Sequence, residues 1–240
     1  MERAKVMLHK FSGPKIKIDR ARKHLAELEK ARADFRASRA KKCRTEISRS
    51  GGTFTFNFQM DLSGPPEDFG AIVGDIIHNL RAALDLAACE LVRAVGQSDK
   101  GVYFPFSQSE SDLDKTIKER HFDRAGPDAV ALLKKMKPYA EGNTDLRLIH
   151  DLDINDKHRK LIQNVMTATS PIIELHNGDG RINPQVIDDP DPSASGPELM
   201  FPDGRGRDLR ELVPTLHQLV QLVSNIVDDF CALANRSDAA

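Results

Sequence analysis

Two stretches of the chain carry chemically capable side chains at helical spacing. His78, Arg81 and Asp85 are separated by three and then four residues; Asp151, Asn155 and His158 by four and then three, with Arg159 next to the last. At 3.6 residues per turn each trio runs along one stripe of a helix. An imidazole can exchange a proton near neutral pH, and a guanidinium can neutralise a phosphate. A carboxylate or amide beside either can orient it. If the set is catalytic, His158 is the expected general acid or base and Arg81 the phosphate-neutralising group. Asp85 and Asn155 would orient their neighbours, His78 and Asp151 would complete the cluster, and Arg159 would bind. None of this chemistry calls for a cofactor or a metal.

The helices that must position these residues are predicted at 66–96 and 143–166. Along the first, Ile72, Val73, Ile76, Ile77, Leu80, Leu84 and Leu91 share a broad apolar arc. The trio lies on another arc among Ala71, Gly74, Ala82, Ala88 and Cys89. That arc is either an ordinary wet face or a small-residue face onto which another element closes. Along the second, Asp145, Asp153, Asp156, Lys157 and Lys160 read as a charged outer face. Asp151, Asn155 and His158 fall instead in the middle of an apolar arc with Leu148, Leu152, Ile154, Leu161, Ile162 and Val165; Arg159 sits at its edge. Burying polar groups unpaired costs several kcal/mol, roughly, so they are expected to find partners, and the first trio is the natural one. The alternative to a working site is a structural ion-pair network.

The segments His78-Asn-Leu-Arg-Ala-Ala-Leu-Asp-Leu-Ala87 and Leu152-Asp-Ile-Asn-Asp-Lys-His-Arg159 resemble the two signature segments of an uncharacterised group of bacterial proteins of similar length. The first is also similar to the Arg-x4-6-His signature of HEPN domains, helical proteins that cut RNA without metal in toxin and antiviral systems. The resemblance implies a helical protein of a bacterial or phage conflict system, binding RNA or a nucleotide, with a homodimer as one arrangement. Arg81 and Asp85 match the pattern, but Leu86 stands where the histidine would be, leaving His78 and His158 to move the proton. Two other readings remain open. One is a non-catalytic protein-interaction module with a buried polar network. The other is a metal-dependent phosphohydrolase, since His150-Asp151 with His78 upstream resembles HD-type ligands. Adjacent helical residues diverge by about 100°, which disfavours the second. Arg210 and His217 also satisfy Arg-x6-His, but Pro214 lies between them and both read as surface residues.

No Gly-rich phosphate loop, GxSxG elbow or HExxH motif occurs, which removes the commoner nucleotide-binding, esterase and zinc-protease readings. No stretch approaches the roughly 20 apolar residues of a membrane span, and the start lacks a secretory apolar region, so a cytoplasmic protein without membrane contact is expected. Cys43, Cys89 and Cys231 are odd in number and far apart, and read as reduced. The net charge of −1 conceals an asymmetry: residues 1–50 hold 16 Lys and Arg against 6 Asp and Glu. This basic arm could meet a phosphate backbone or an acidic partner, or pair with the rest of its own fold.

The remaining pattern predicts a mainly α single domain over 1–240, a bundle of about six helices with a small antiparallel sheet built from two hairpins. A basic amphipathic helix spans 15–42. Hairpins follow around Gly51-Gly52 and Asn177-Gly-Asp-Gly, and modest helices lie near 109–120 and 126–137. Residues 188–206 read as a surface loop, and a helix at 208–235 carries an apolar stripe serving as core or dimer seam.

Overall fold

A computed structural model describes residues 11–40, 44–50, 53–59, 66, 68–158, 165–167, 173–178, 181–186, 198–202 and 209–237. Among these the fold is mainly α. Three long helices, α1 (Ser12–Ala40), α2 (Asp68–Ala94) and α6 (Leu212–Ser237), make the core. The shorter α3 (Glu110–Glu119), α4 (Pro127–Met136) and α5 (Thr144–His158) and a 3-10 turn at Phe122–Ala125 pack around them.

The stripe Ile18, Ala21, Leu25 and Leu28 on α1 is buried, and Phe35 meets Phe69 edge-on at 5.9 Å. Because Lys17 reaches Asn79 near the middle of α2 while Phe35 reaches its start, α1 and α2 run antiparallel. α6 is likewise antiparallel to α1: Lys15 pairs with Asp228 at 3.5 Å and Glu29 with His217 at 2.8 Å. Part of the basic first helix therefore pairs within its own fold. The stripe of α6, from Leu212 through Leu216, Leu219, Val223 and Ile226 to Phe230, is buried, so it is core and not a seam. Phe230 also packs against Phe104 and Phe122, joining α6 to the segments after α2.

Local signals fix the ends of the shorter elements. Gly96, at φ 75°, closes α2 in a left-handed turn that a Cβ would disfavour, with its N–H bonded to Arg93 O at 2.9 Å. Ser109 caps α3 through Asp112 N. Pro127 opens α4, whose last residue precedes Lys137 at φ 51° and then Pro138. Asn143 caps α5, accepting from Leu146 N at 3.0 Å.

Several expectations are corrected. The helix expected to Met166 ends by His158 among the described residues, and Val165–Thr167 is a strand. It pairs antiparallel with Glu198–Pro202, inside the stretch expected to be loop, where the apolar run Leu199-Met200-Phe201 supplies a strand partner. Leu209–Glu211 pairs with that same strand, so α6 starts at Leu212 and not at 208; Pro214 sits in its first turn, where no N–H bond is lost. The hairpins Arg44–Ser50/Thr53–Gln59 and Ile173–Gly178/Arg181–Val186 each pair only within themselves among the described residues, so the single sheet expected to join them is not formed there. No helix among the described residues is long and apolar enough to cross a membrane.

Candidate functional site

The helices that carry the two polar trios meet, and His78 of the first trio finds its partner in a residue outside the second, one that the periodicity misplaced. His78 Nδ1 lies 3.1 Å from Asp153 Oδ1, bridging α2 and α5. Asp153, expected on a charged outer face, is buried, whereas Ile154, expected on the apolar arc, is 41% exposed. The face of α5 that meets α2 is thus rotated from the one inferred, because Leu146, Ile149 and Leu152 set it. The imidazole of His78 remains half-exposed and one helical turn from Arg81.

Arg81 and Asp85 form an ion pair along α2. Asp85 also accepts the backbone N–H of Phe104 at 2.8 Å, and the Arg81 guanidinium lies 4.6 Å from the centroid of the Phe106 ring. On α5 a parallel arrangement was not anticipated. Arg147, buried, grips Asp151 with two bonds, Nε at 3.1 Å and Nη2 at 2.8 Å, and gives its third group to Ser107 O at 3.0 Å. Each helix therefore pairs an Arg and an Asp four residues apart, and each pair holds the extended segment 102–107 by its backbone, at Phe104 and at Ser107. Fixing an unpaired N–H and C=O in this way satisfies groups that no helix or sheet covers.

His150 lies between the two pairs. Its ring stacks on Phe106, with centroids 4.7 Å apart and planes at 10°, and its Nδ1 is buried without a hydrogen-bond partner. Burial, then the positive charges of Arg81 and Arg147, lower its pKa from 6.5 to about 4, so the ring is neutral at physiological pH.

Of the residues expected at the site, Arg81, Asp85 and, through Arg147, Asp151 are thus placed at the segment 102–107, while His78 meets α5 at Asp153. The side chains of Asn155 and His158, and all of Arg159, lie outside the described residues. Leu86, at the position of the HEPN histidine, lies against the start of α1: a Cβ on Gly13 would sit 3.7 Å from its Cδ1. Arg210 pairs with Asp145 at 2.6 Å and His217 with Glu29, so those two do not converge on the site. The ligand set of the phosphohydrolase reading does not converge either. His150 stacks on Phe106 while His78 turns to Asp153, and no group of three His, Cys, Asp or Glu among the described residues could hold a metal ion. Cys89 and Cys231 are free thiols, the former pushed up in pKa by burial.

The pairing around the segment counts two guanidinium groups, Arg81 and Arg147, against three carboxylates, Asp85, Asp151 and Asp153. Among these groups the carboxylates outnumber the guanidinium groups by one, so the cluster is no basic groove. Arg147 spends its donors on the fold. Arg81 uses one of its five N–H donors in its pair with Asp85 and leaves no nitrogen both buried and unpartnered. Comparison with protein-family models, with curated proteins and with solved structures gives no match.

Proposed function

We propose that this chain is a HEPN-like, metal-independent helical protein that binds RNA or a nucleotide through a phosphate, at the rim of the polar cluster between α2 and α5. The observation that carries the reading is the His78–Asp153 contact. It leaves a half-exposed imidazole, held by a buried carboxylate, one turn from an arginine with spare donors. An imidazole and a guanidinium at i and i+3 have Cβ atoms about 5–6 Å apart, a span over which the guanidinium can hold a phosphate while the imidazole meets an adjoining ribose hydroxyl. The similarity of the α2 segment to the Arg-x4-6-His signature supports the same reading, with His78 in place of the histidine that Leu86 replaces.

A second reading is favoured by the two Arg–Asp pairs. They hold the backbone at Phe104 and Ser107 and make the inner part of the cluster a structural clasp within a non-catalytic interaction module. The two readings share Arg81, which pairs with Asp85 in the clasp, and they part at His78, which the clasp does not use.

The test is a His78→Ala variant, judged by fluorescence-detected binding and cleavage of a short single-stranded RNA together with thermal stability. Loss of binding or cleavage by about tenfold or more, with thermal stability nearly unchanged, supports the rim site. Unchanged RNA binding with a large stability loss assigns the contact to the structural network.

A further inference from the structure

We propose that Asp153 is a positioning residue which fixes the tautomer of His78, holding the ring proton on Nδ1 and leaving Nε2 as a hydrogen-bond acceptor. Its functional half rests on the phosphate-binding reading above; its structural half does not.

The argument begins with which atom can donate. An ionised carboxylate only accepts hydrogen bonds, so the 3.1 Å contact between Asp153 Oδ1 and His78 Nδ1 requires the proton on Nδ1. In a neutral imidazole the other nitrogen must then carry the lone pair. The exposures differ sharply: the Asp153 side chain is 8% exposed and the His78 side chain 48%. The carboxylate is thus set within the fold by α5, and the ring is the half of the pair that meets solvent. The nitrogen not engaged by Asp153 is available to accept a proton or hydrogen bond from a hydroxyl or a water. An orienting partner on one ring nitrogen commonly decides what the other can do.

A simple role in holding the helices together is a weaker account. Leu146, Ile149 and Leu152 already bury the apolar face of α5. A carboxylate that served only to clamp could be exchanged for an amide of the same shape without consequence for a ligand.

The experiment uses the full chain. Long-range ¹H–¹⁵N correlation spectra of wild type and Asp153→Asn report the tautomer of His78, and labelled single-stranded RNA reports binding. Wild type is expected to show the Nδ1–H form. In D153N the amide can donate to Nδ1, so the proton moves to Nε2, thermal stability stays close to wild type, and RNA binding falls about tenfold because the acceptor for a ribose hydroxyl proton is gone. An Nε2–H tautomer in wild type overturns the inference regardless of any variant. A reversed tautomer in D153N with unchanged binding overturns the positioning role and leaves the phosphate-binding reading standing. If His78→Ala also binds RNA as wild type does, that reading falls, and the role of Asp153 in it falls too.

Discussion

Lowering the pH perturbs His150 in a way whose size follows from its surroundings. The folded ring keeps its neutral form down to about pH 4, while in the unfolded chain it takes a proton near 6.5. Above pH 6.5 both states are neutral and the group contributes nothing. Between 6.5 and 4 the unfolded state binds a proton that the folded state refuses, so stability falls with decreasing pH and levels off below about 4. At about 1.4 kcal/mol per tenfold change, the full difference amounts to about 3 kcal/mol. Partial solvent contact of the ring screens the neighbouring charges, which brings the expected loss to about 2 kcal/mol. The assay is urea unfolding of wild type and His150→Phe at pH 7 and at pH 4.5, with the ring titrated by NMR in parallel. Phe preserves the stack on Phe106 and removes both the titration and the unpartnered Nδ1. The variant should be at least as stable as wild type at pH 7 and should lose less on acidification, by about 1–2 kcal/mol. Titration of His150 near 6.5, or identical pH dependence in both proteins, would refute the placement of this ring between two guanidinium groups.

Three further outcomes are expected. Arg147→Met strands the Asp151 carboxylate and the Ser107 carbonyl, and since Asp151 can partly rehydrate, urea unfolding should show a loss of about 2–3 kcal/mol; a change below about 0.5 kcal/mol would mean the pair contributes nothing. Asp85→Asn weakens the charge-assisted bond to Phe104 N, so the Phe104 amide should exchange faster with solvent and stability should fall by about 1–2 kcal/mol; an unchanged exchange rate argues against the clasp. Binding of single-stranded RNA should depend weakly on salt, with log K falling against log salt at a slope of roughly −1, because a cluster with more carboxylates than guanidinium groups offers contact to only one or two phosphates. A slope steeper than about −4 would move the contact to the basic residues of the first fifty.

The helices were legible where the pattern was long. The stripe of α6 and the paired spacing of α1 map onto buried positions, and Gly96, Pro138 and Asn143 mark ends that backbone chemistry dictates. The site was legible only in part. His78, Arg81 and Asp85 share a face because helical spacing fixes it, but which face of α5 they meet depends on how that helix is rotated. An error of one residue exchanged Asp153 for Ile154. The Arg147–Asp151 pair carried a readable signal, since i and i+4 charges of opposite sign support one another along a helix. Its use in holding Ser107 did not, because that contact joins residues 40 positions apart. The strands at Val165–Thr167 and Glu198–Pro202 escaped for the same reason: each is too short to show a period and exists through its partner.

The antiparallel seating of α6 against α1 bears on how the chain reaches its fold. Arg22 meets Ser224 and Glu29 meets His217, contacts separated by 202 and 188 positions. α6 leaves the ribosome after every other described element, so the apolar sides of α1 and α2 that it covers face water until translation has passed them. Closing so long a loop adds only slowly to the entropic cost, but it delays the contacts that compensate for it. The half-made core is therefore the species most exposed to aggregation or chaperone capture. A chain truncated before Leu212 should be recovered as an insoluble or chaperone-bound product, while the complete chain should refold as one unit.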